Sequence, residues 1–416
     1  MEKSLVATNE KVSDHIYDDI ALAILSKLPL KSLIRFSCVR KSWSLLFQNS
    51  YFMNMFRRNF LSKDLSYYND TSILLQHIAP LSQRYKYDPK LYSLFGDKFE
   101  NMIKLDWPNP YEDPFDFIIH GSVNGILCIQ DVKSGGRMPE SIRCIEELGR
   151  YVLWNPATEE FKIIPTSPFA FECPCWYPII DFQGFGYDRI GDNYKVIRHV
   201  EFYPRYSEEY ENETLKDGFL SPLWEIYCLK SNSWKKLDID MPRQYYGSVG
   251  LHVYMDGVCH WWSESEIGNE VYLVSFDLRN EVFVKTFIPS NMDDADIDIG
   301  IDTRIVFRDV VVLNGAIGWI SNYNKAAPTF HISILGEVGV KESWTKLFTV
   351  GPLSCVEYVI GVGKNGDIFF RKNDDELVWV NLNTQRIEEL GVKGDHHRCK
   401  IMIYKESFLP FASINN

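Results

Sequence analysis

The sequence has 416 residues, enough for a small domain joined to one large all-β domain. Apolar residues make up 45% of it, which fits a folded protein, and a formal net charge of −12 argues against nucleic acid as the default partner. No run approaches the roughly 18 apolar residues of a membrane span, and the opening "MEKSLVATNEKVSDH" lacks the apolar core of a secretion signal.

The cysteine count is nine, an odd number, and Cys128, Cys228 and Cys259 sit in apolar runs where a thiol acts as a small hydrophobe. A reducing compartment is expected, cytoplasmic or nuclear. The triplets at Asn69 and Asn212 are then chance matches to a glycosylation signal.

In chain order, apolar residues first recur at helical spacing: Ile20, Ile24 and Leu28, then Leu33 and Ile34, then Val39, Trp43 and Leu46, then Phe52 and Met55. Pro29 separates the first helix from the second, because its ring clashes with the preceding turn and suits a new helix start. Three or four short helices are expected over 14–62. A segment of that size seldom folds stably without a metal, disulfide or partner. Ile24, Leu25, Phe36, Cys38 and Val39 also cannot all face one small core, so one face is expected to meet another protein.

From residue 71 onward the pattern changes to short β runs punctuated by Asn-Gly, Asp-Gly and Pro, and it repeats. The copies read "VNGILCI…YVLWNPATEEFKIIP", "GDNYKVIRH…LWEIYCLKSNSWKKLD", "MDGVCHWWS…VYLVSFDLRNEVFVKTFIP", "LNGAIGWIS…FHISILGEVGVKESWTKLFT" and "KNGDIFFRK…ELVWVNLNTQRIEELGV". A sixth assembles from both ends: "CKIMIYKESF" beside "SILLQH" and "LYSLFGDKFENMIKL". A four-stranded unit cannot cover both its faces alone, so the copies must stack, and radial stacking gives a β-propeller. Joining the chain ends in one blade leaves no free edge. A pair of β-sandwiches accounts poorly for the repeat. The expected fold is therefore α+β and multidomain, with a small helical module followed by an all-β propeller of about six blades over 68–412. Three long polar insertions, 131–149, 167–179 and 201–218, are the expected contact elements.

Other motifs carry little chemistry. Cys173-Pro174-Cys175 lacks the spacing and second ligand pair of a zinc site. Strand alternation puts His260 and Trp262 on one face and Trp261 on the other, which reads as blade packing. "DDADIDIGID" (293–302) has Ile299 where a calcium loop needs glycine, and it reads as a solvated acidic loop. Gly361 to Gly366 matches G-x-G-x-x-G, but "DIFFRK" after it reads as a strand where a dinucleotide site needs a helix. No cofactor or metal is expected.

"IYDDIALAILSKLPLKSLIRFSCVRKSWSLLFQNSYF" (16–52) resembles the F-box, the module by which substrate receptors dock on the Skp-family adaptor of cullin-based ubiquitin ligases. Leu28-Pro29, Lys31-Ser32-Leu33, Cys38-Val39, Lys41 and Trp43 fall in register with that family's pattern. It departs at Ile16-Tyr17, where the family has Leu-Pro, although Asp18 and Asp19 keep negative charge in the first turn. The resemblance implies adaptor binding through Ile16, Ile20, Ile24, Leu25, Leu28, Pro29, Leu33, Val39, Lys41 and Trp43. Between residues 14 and 63, eight basic side chains (Lys27, Lys31, Arg35, Arg40, Lys41, Arg57, Arg58, Lys63) face three acidic ones (Asp14, Asp18, Asp19), which suits an acidic partner.

The remainder, with "GSVNGILCI…LWNPATEEFKIIP", "GFGYDRIGDNYKVIR", "EIYCLKSNSWKKL", "GVCHWW" and "FDLRNEVF", is similar to the kelch-like F-box-associated domain of plant F-box families, the S-locus F-box proteins among them. Together the two resemblances imply a non-catalytic substrate receptor of an SCF ubiquitin ligase, with the Skp-family adaptor, a cullin held through it, and a protein target as partners. The alternatives are a binding regulator with a vestigial F-box, or a propeller enzyme, which would need titratable side chains converging on a central pocket.

Overall fold

In the computed structural model, the described residues are 18–28, scattered positions between 36 and 55, and 71–411 apart from 79–88, 97, 108–115, 133–149, 170–175, 205–219, 244–251, 266–269, 290–306, 314, 323–327, 354, 364–366, 383–385, 395–398 and 409–410. The chain divides into two units, Met1–Asp70 and Thr71–Asn416. In the first, α1 (Asp18–Leu25) starts at the paired aspartates, which favour the positive end of the helix dipole. Of the three or four helices expected over 14–62, α1 is described in full. Residues 50–52 are also helical, and most of the rest lies outside the described residues.

The second unit is six sheets of four antiparallel strands. Strands β1 (Thr71–Ile78), β2 (Pro89–Phe95) and β3 (Asn101–Leu105) belong to blade 1. Blade 2 holds β4 (Asp116–Val123), β5 (Ile126–Val132), β6 (Tyr151–Trp154) and β7 (Phe161–Ile163). In blade 3 are β8 (Trp176–Asp188), β9 (Asn193–Pro204), β10 (Leu223–Cys228) and β11 (Ser233–Leu237), and in blade 4 β12 (Val253–Met255), β13 (Val258–Glu264), β14 (Val271–Asp277) and β15 (Val282–Phe287). Blade 5 comprises β16 (Phe307–Leu313), β17 (Ala316–Asn322), β18 (Phe330–Leu335) and β19 (Trp344–Val350); blade 6 comprises β20 (Val356–Val362), β21 (Asp367–Lys372), β22 (Glu376–Asn381) and β23 (Arg386–Lys393). The last strand, β24 (Lys400–Lys405), returns to blade 1 and pairs with β1, Ile73 opposite Ile403 and Leu75 opposite Ile401. The sixth copy is thus built from both ends of the repeat region, as expected. Strands β24, β4, β8, β12, β16 and β20 each touch the next, and β20 touches β24, so the ring closes.

Blades stack through apolar side chains on both faces. Leu74, Leu91 and Tyr404 of blade 1 meet Phe117, Ile119, Leu127 and Trp154 of blade 2. On its other side blade 1 gives Ile73, Leu75 and Ile401 to Ile360, Phe369 and Trp379 of blade 6. Period-two alternation sends neighbouring residues to opposite partners. Trp261 packs into the core shared by blades 3 and 4, with Trp224 at 6.0 Å between ring centroids, while Trp262 packs into the core of blades 4 and 5, edge-on to Trp319 at 5.9 Å. Between blades 2 and 3 the packing includes a buried charge: Arg198 Nε donates to its cross-strand partner Glu225 at 2.5 Å, and its guanidinium lies 3.8 Å from the centre of the Trp234 ring of the same blade and 5.9 Å from that of Tyr151 in blade 2. Stacking on an indole suits a weakly hydrated planar cation in a dry interface.

All three expected loops are shorter than their sequence suggested. The hairpin of β8 and β9 takes in 176–179 and 201–204, and the end of β5 takes in 131–132. Tyr177 and Tyr203 are cross-strand partners whose rings stack at 5.6 Å, and this pair carries the ladder past the point where polar residues suggested it would stop. The strand after Gly363, Asp367–Lys372, agrees with the reading of that glycine run as no dinucleotide site. Cys173, Cys175 and the acidic loop 293–302 lie outside the described residues.

Candidate interaction sites

On α1, Ala21 and Leu25 are buried, whereas Ile20 and Ile24 are 53% and 54% exposed. Each pair is spaced by four residues, so the helix carries one inward stripe and one apolar stripe in water about 100° away. Leu46 and Phe52 are buried in the same unit, and Phe36 meets Trp43 edge-on at 5.9 Å. Val39 is 71% exposed, and Leu45 and Tyr51 are also exposed. Among the residues the sequence singled out, Ile20, Ile24, Val39 and Lys41 are at the surface, Leu28 and Trp43 are half-buried, and Leu25 points inward. Ile16, Pro29 and Leu33 lie outside the described residues. Leu45 and Tyr51 were missed; both neighbour a buried residue, and a helical period without a known inward direction does not tell the two apart.

The propeller has two unlike faces. On one, strands join by short turns: Asn124-Gly125 between β4 and β5, 189–192 between β8 and β9, Asp256-Gly257 between β12 and β13, and outer turns such as 229–232 and 278–281. Asn124 and Gly125 have φ of 51° and 84°, and Asp256 and Gly257 have 52° and 88°. Two successive left-handed residues make the hairpin turn whose twist matches that of the strands. Every long connection leaves from the opposite face, including 133–150, 164–175, 205–222, 238–252 and 288–306. The sequence signalled these segments; their shared face comes only with the topology, because each joins the second strand of a blade to its third, or one blade to the next.

That long-segment face carries a groove of about 1360 Å³ between blades 3 and 4. His199, Glu201 and Trp224 line it from blade 3, with Asp238 to Arg243 running along it. Blade 4 supplies Glu264, Glu270, Tyr272, Lys285 and Phe287. Arg243 spans Glu201 at 2.6 Å and Asp181 at 3.5 Å, and burial raises the Asp181 carboxyl above the usual range despite that cation. His199 lies against Trp224 at 4.9 Å, and burial lowers its imidazole to about 4.

Titratable groups also gather near the propeller axis, as an enzyme would require. The rings of His120 and Phe182 stack at 3.7 Å, with His252 at 4.8 Å from Phe182. Lys400 Nζ donates to the Ile119 carbonyl at 2.7 Å, His120 Nε2 meets Gln130 at 2.7 Å, and Asp309 accepts from the Val310 amide at 2.8 Å. Burial lowers His120 to about 3, lowers His252 and Lys400 well below their usual values, and raises Asp309 to about 7. None of these bonds joins a nucleophile to a base. A histidine-serine contact does occur elsewhere, His260 Nδ1 to Ser275 Oγ at 2.9 Å, but both residues are buried and His260 Nε2 has no partner. With no acid to orient the ring, and burial lowering it to about 3, the pair lacks the makings of general-base catalysis.

Among the described residues no group of three or more His, Cys, Asp or Glu is arranged to hold a metal, and no helix is long and apolar enough to cross a membrane.

Comparison with known proteins adds the following. Residues 142–411 match the family described as the F-box associated beta propeller domain. The Arabidopsis thaliana protein named F-box protein CPR1 is 24% identical over 392 residues, covering 90% of this chain and 84% of its own. F-box only protein 8 of the same plant is 27% identical over 292 residues, covering 68% of this chain and 83% of its own. Among solved structures, TolB from Acinetobacter baumannii superposes with a TM-score of 0.40 at 7% identity, over 80% of this chain and 66% of its own.

Proposed function

We propose, on the premise that this chain belongs to the F-box-associated β-propeller family, that it is the substrate-recognition subunit of an SCF-type ubiquitin ligase. In this reading the unit Met1–Asp70 docks the Skp-family adaptor, a cullin is held through the adaptor, and the long-segment face of the propeller binds a target protein for ubiquitination and degradation. The chemistry is proximity: holding an acceptor lysine near the conjugating enzyme raises its effective concentration, and the receptor needs no nucleophile of its own. The observation that carries the reading is the apolar stripe of Ile20 and Ile24, left in water, with Val39 also exposed, in a unit whose Leu25, Leu46 and Phe52 are buried. Covering such a side chain completely is worth about 1.5–3 kcal/mol. The absence of disulfides among Cys128, Cys228, Cys259, Cys355 and Cys399 supports work in a reducing compartment, the cytoplasm or nucleus.

The test is a calorimetric titration of purified adaptor into the full chain. Ile20→Asp/Ile24→Asp is expected to weaken binding at least 30-fold while leaving the melting of the propeller in place. Equal affinity for the two chains sinks the docking surface, and no binding by the unaltered chain sinks the ligase reading.

A further inference from the structure

We propose that the groove between blades 3 and 4 seats an extended cationic segment of the target protein, a lysine- or arginine-bearing stretch whose aliphatic stem lies along Phe287 while its charge meets Asp238, Asp240 and Glu270. The proposal rests on the substrate-receptor reading and names the kind of target that reading leaves open.

Charge is the first argument. The lining cations are already engaged: Arg243 by Glu201 and Asp181, Lys285 over the Tyr272 ring at 5.1 Å, and Lys236 over the Phe169 ring at 4.7 Å. The carboxylates of Asp238, Asp240 and Glu270 make no hydrogen bond or ion pair among the described residues, so the groove presents net negative charge to an incoming chain. The second argument is His199, which lines the groove, is 7% exposed, and has no hydrogen-bond partner for Nδ1 among the described residues. Buried polar atoms are seldom left unpaired in a finished interface. The third is shape. A volume of about 1360 Å³ exceeds a typical small-molecule pocket and suits a stretch of chain, and the exposed Phe287 ring gives a long aliphatic stem an apolar surface.

The experiment uses the full chain bound to its adaptor and reads the anisotropy of a short fluorescein-labelled peptide of alternating lysine and glycine, with its glutamate counterpart beside it. At about 150 mM salt, where the Debye length is ~8 Å, distant charges contribute little. The lysine peptide is expected to bind and the glutamate peptide not to. Asp238→Asn/Asp240→Asn/Glu270→Gln should weaken the lysine peptide at least tenfold, and His199→Phe should weaken it as well. Removing the same charge from the short-turn face, with Glu159→Gln/Glu337→Gln/Glu342→Gln, should leave binding unchanged. The proposal is overturned if the unaltered chain ignores the lysine peptide, if the groove variant binds it normally, or if both triple variants lose it equally. Adaptor affinity measured on the same samples keeps the two readings apart: intact adaptor binding with failure in the groove removes only the groove.

Discussion

The paired isoleucines of α1 meet the opposite fate from those in the cores between blades. Ile20 and Ile24 of α1 stand more than half exposed, while Ile119, Ile197, Ile226, Ile320, Ile332 and Ile368 of the propeller are fully covered. The difference lies in the architecture. A blade has a copy of itself on either side, so both faces of its inner strands find an apolar neighbour within the same polypeptide. A helix with two apolar stripes and one small core can cover only one of them.

That contrast can be attacked from both sides. Acid should have the largest effect, and it should fall on the propeller, where all the described histidines lie. His120, His199 and His260 have pKa values lowered on folding to about 3, 4 and 3. A group lowered in this way contributes its full stability above its unfolded value near 6.5 and loses it as pH falls toward the folded value. At pH 4.5 the loss is about 2–3 kcal/mol for each imidazole. Asp309, raised to about 7, works in the opposite sense: its contribution is complete below about 4 and is lost as pH rises through 7. Three imidazoles outweigh one carboxyl, so the unfolding free energy should fall by about 4 kcal/mol between pH 7 and pH 4.5, and the urea midpoint should drop with it. Tryptophan fluorescence reports it well, since every tryptophan except Trp43 lies in the propeller. A midpoint that rises in acid would show that the imidazoles are not held neutral.

Next in size is Trp319→Ala. Trp319 is fully buried between blades 4 and 5, and removing it should cost about 3–5 kcal/mol in the same urea measurement. Adaptor affinity at temperatures where the variant stays folded should not change. On the helical side the pattern inverts: Ile24→Ala should cost about 2–4 kcal/mol in adaptor affinity and almost nothing in urea, and the reverse outcome would make the exposed stripe an ordinary surface. The smallest effect belongs to Gly257→Ala. The glycine has φ of +88° and open space around its Cβ position, so the cost is backbone strain alone, about 1 kcal/mol. Gly125→Ala, at φ +84° with Ser407 Cβ only 2.5 Å from the new atom, should cost more.

Most of the ring is legible in the sequence because its rules are local. Asn124-Gly125 and Asp256-Gly257 mark turns by their own backbone, and Trp261 and Trp262 reveal opposite faces by being adjacent. The blade made from both ends of the repeat region could be read because "SILLQH", "LYSLFGDKFENMIKL" and "CKIMIYKESF" fall outside the five complete copies. The groove could not be read. Glu201, Trp224, Arg243, Glu264, Tyr272 and Phe287 come from two blades and several strands, and what brings them to one wedge is the splay between twisted sheets, which no local pattern encodes. The partnership of Arg198 with Glu225 was hidden for a different reason: it is a cross-strand pair of β9 and β10, whose register depends on how a long connection returns the chain. In α1 the period announced too much apolar surface, but it did not say that Leu25 faces in while Ile24 faces out.

The pairing of β24 with β1 has a bearing on how the protein is made. The residue opposite Thr71 is Lys405, so a ribosome must translate through residue 405 before the circle can be shut. Until then the nascent chain holds an open arc whose first blade lacks its inner strand, and such unpaired edges invite wrong partners. A product cut short before residue 400 would never escape that condition. Strand β24 therefore acts as a latch, and a closed ring marks a polypeptide translated through it.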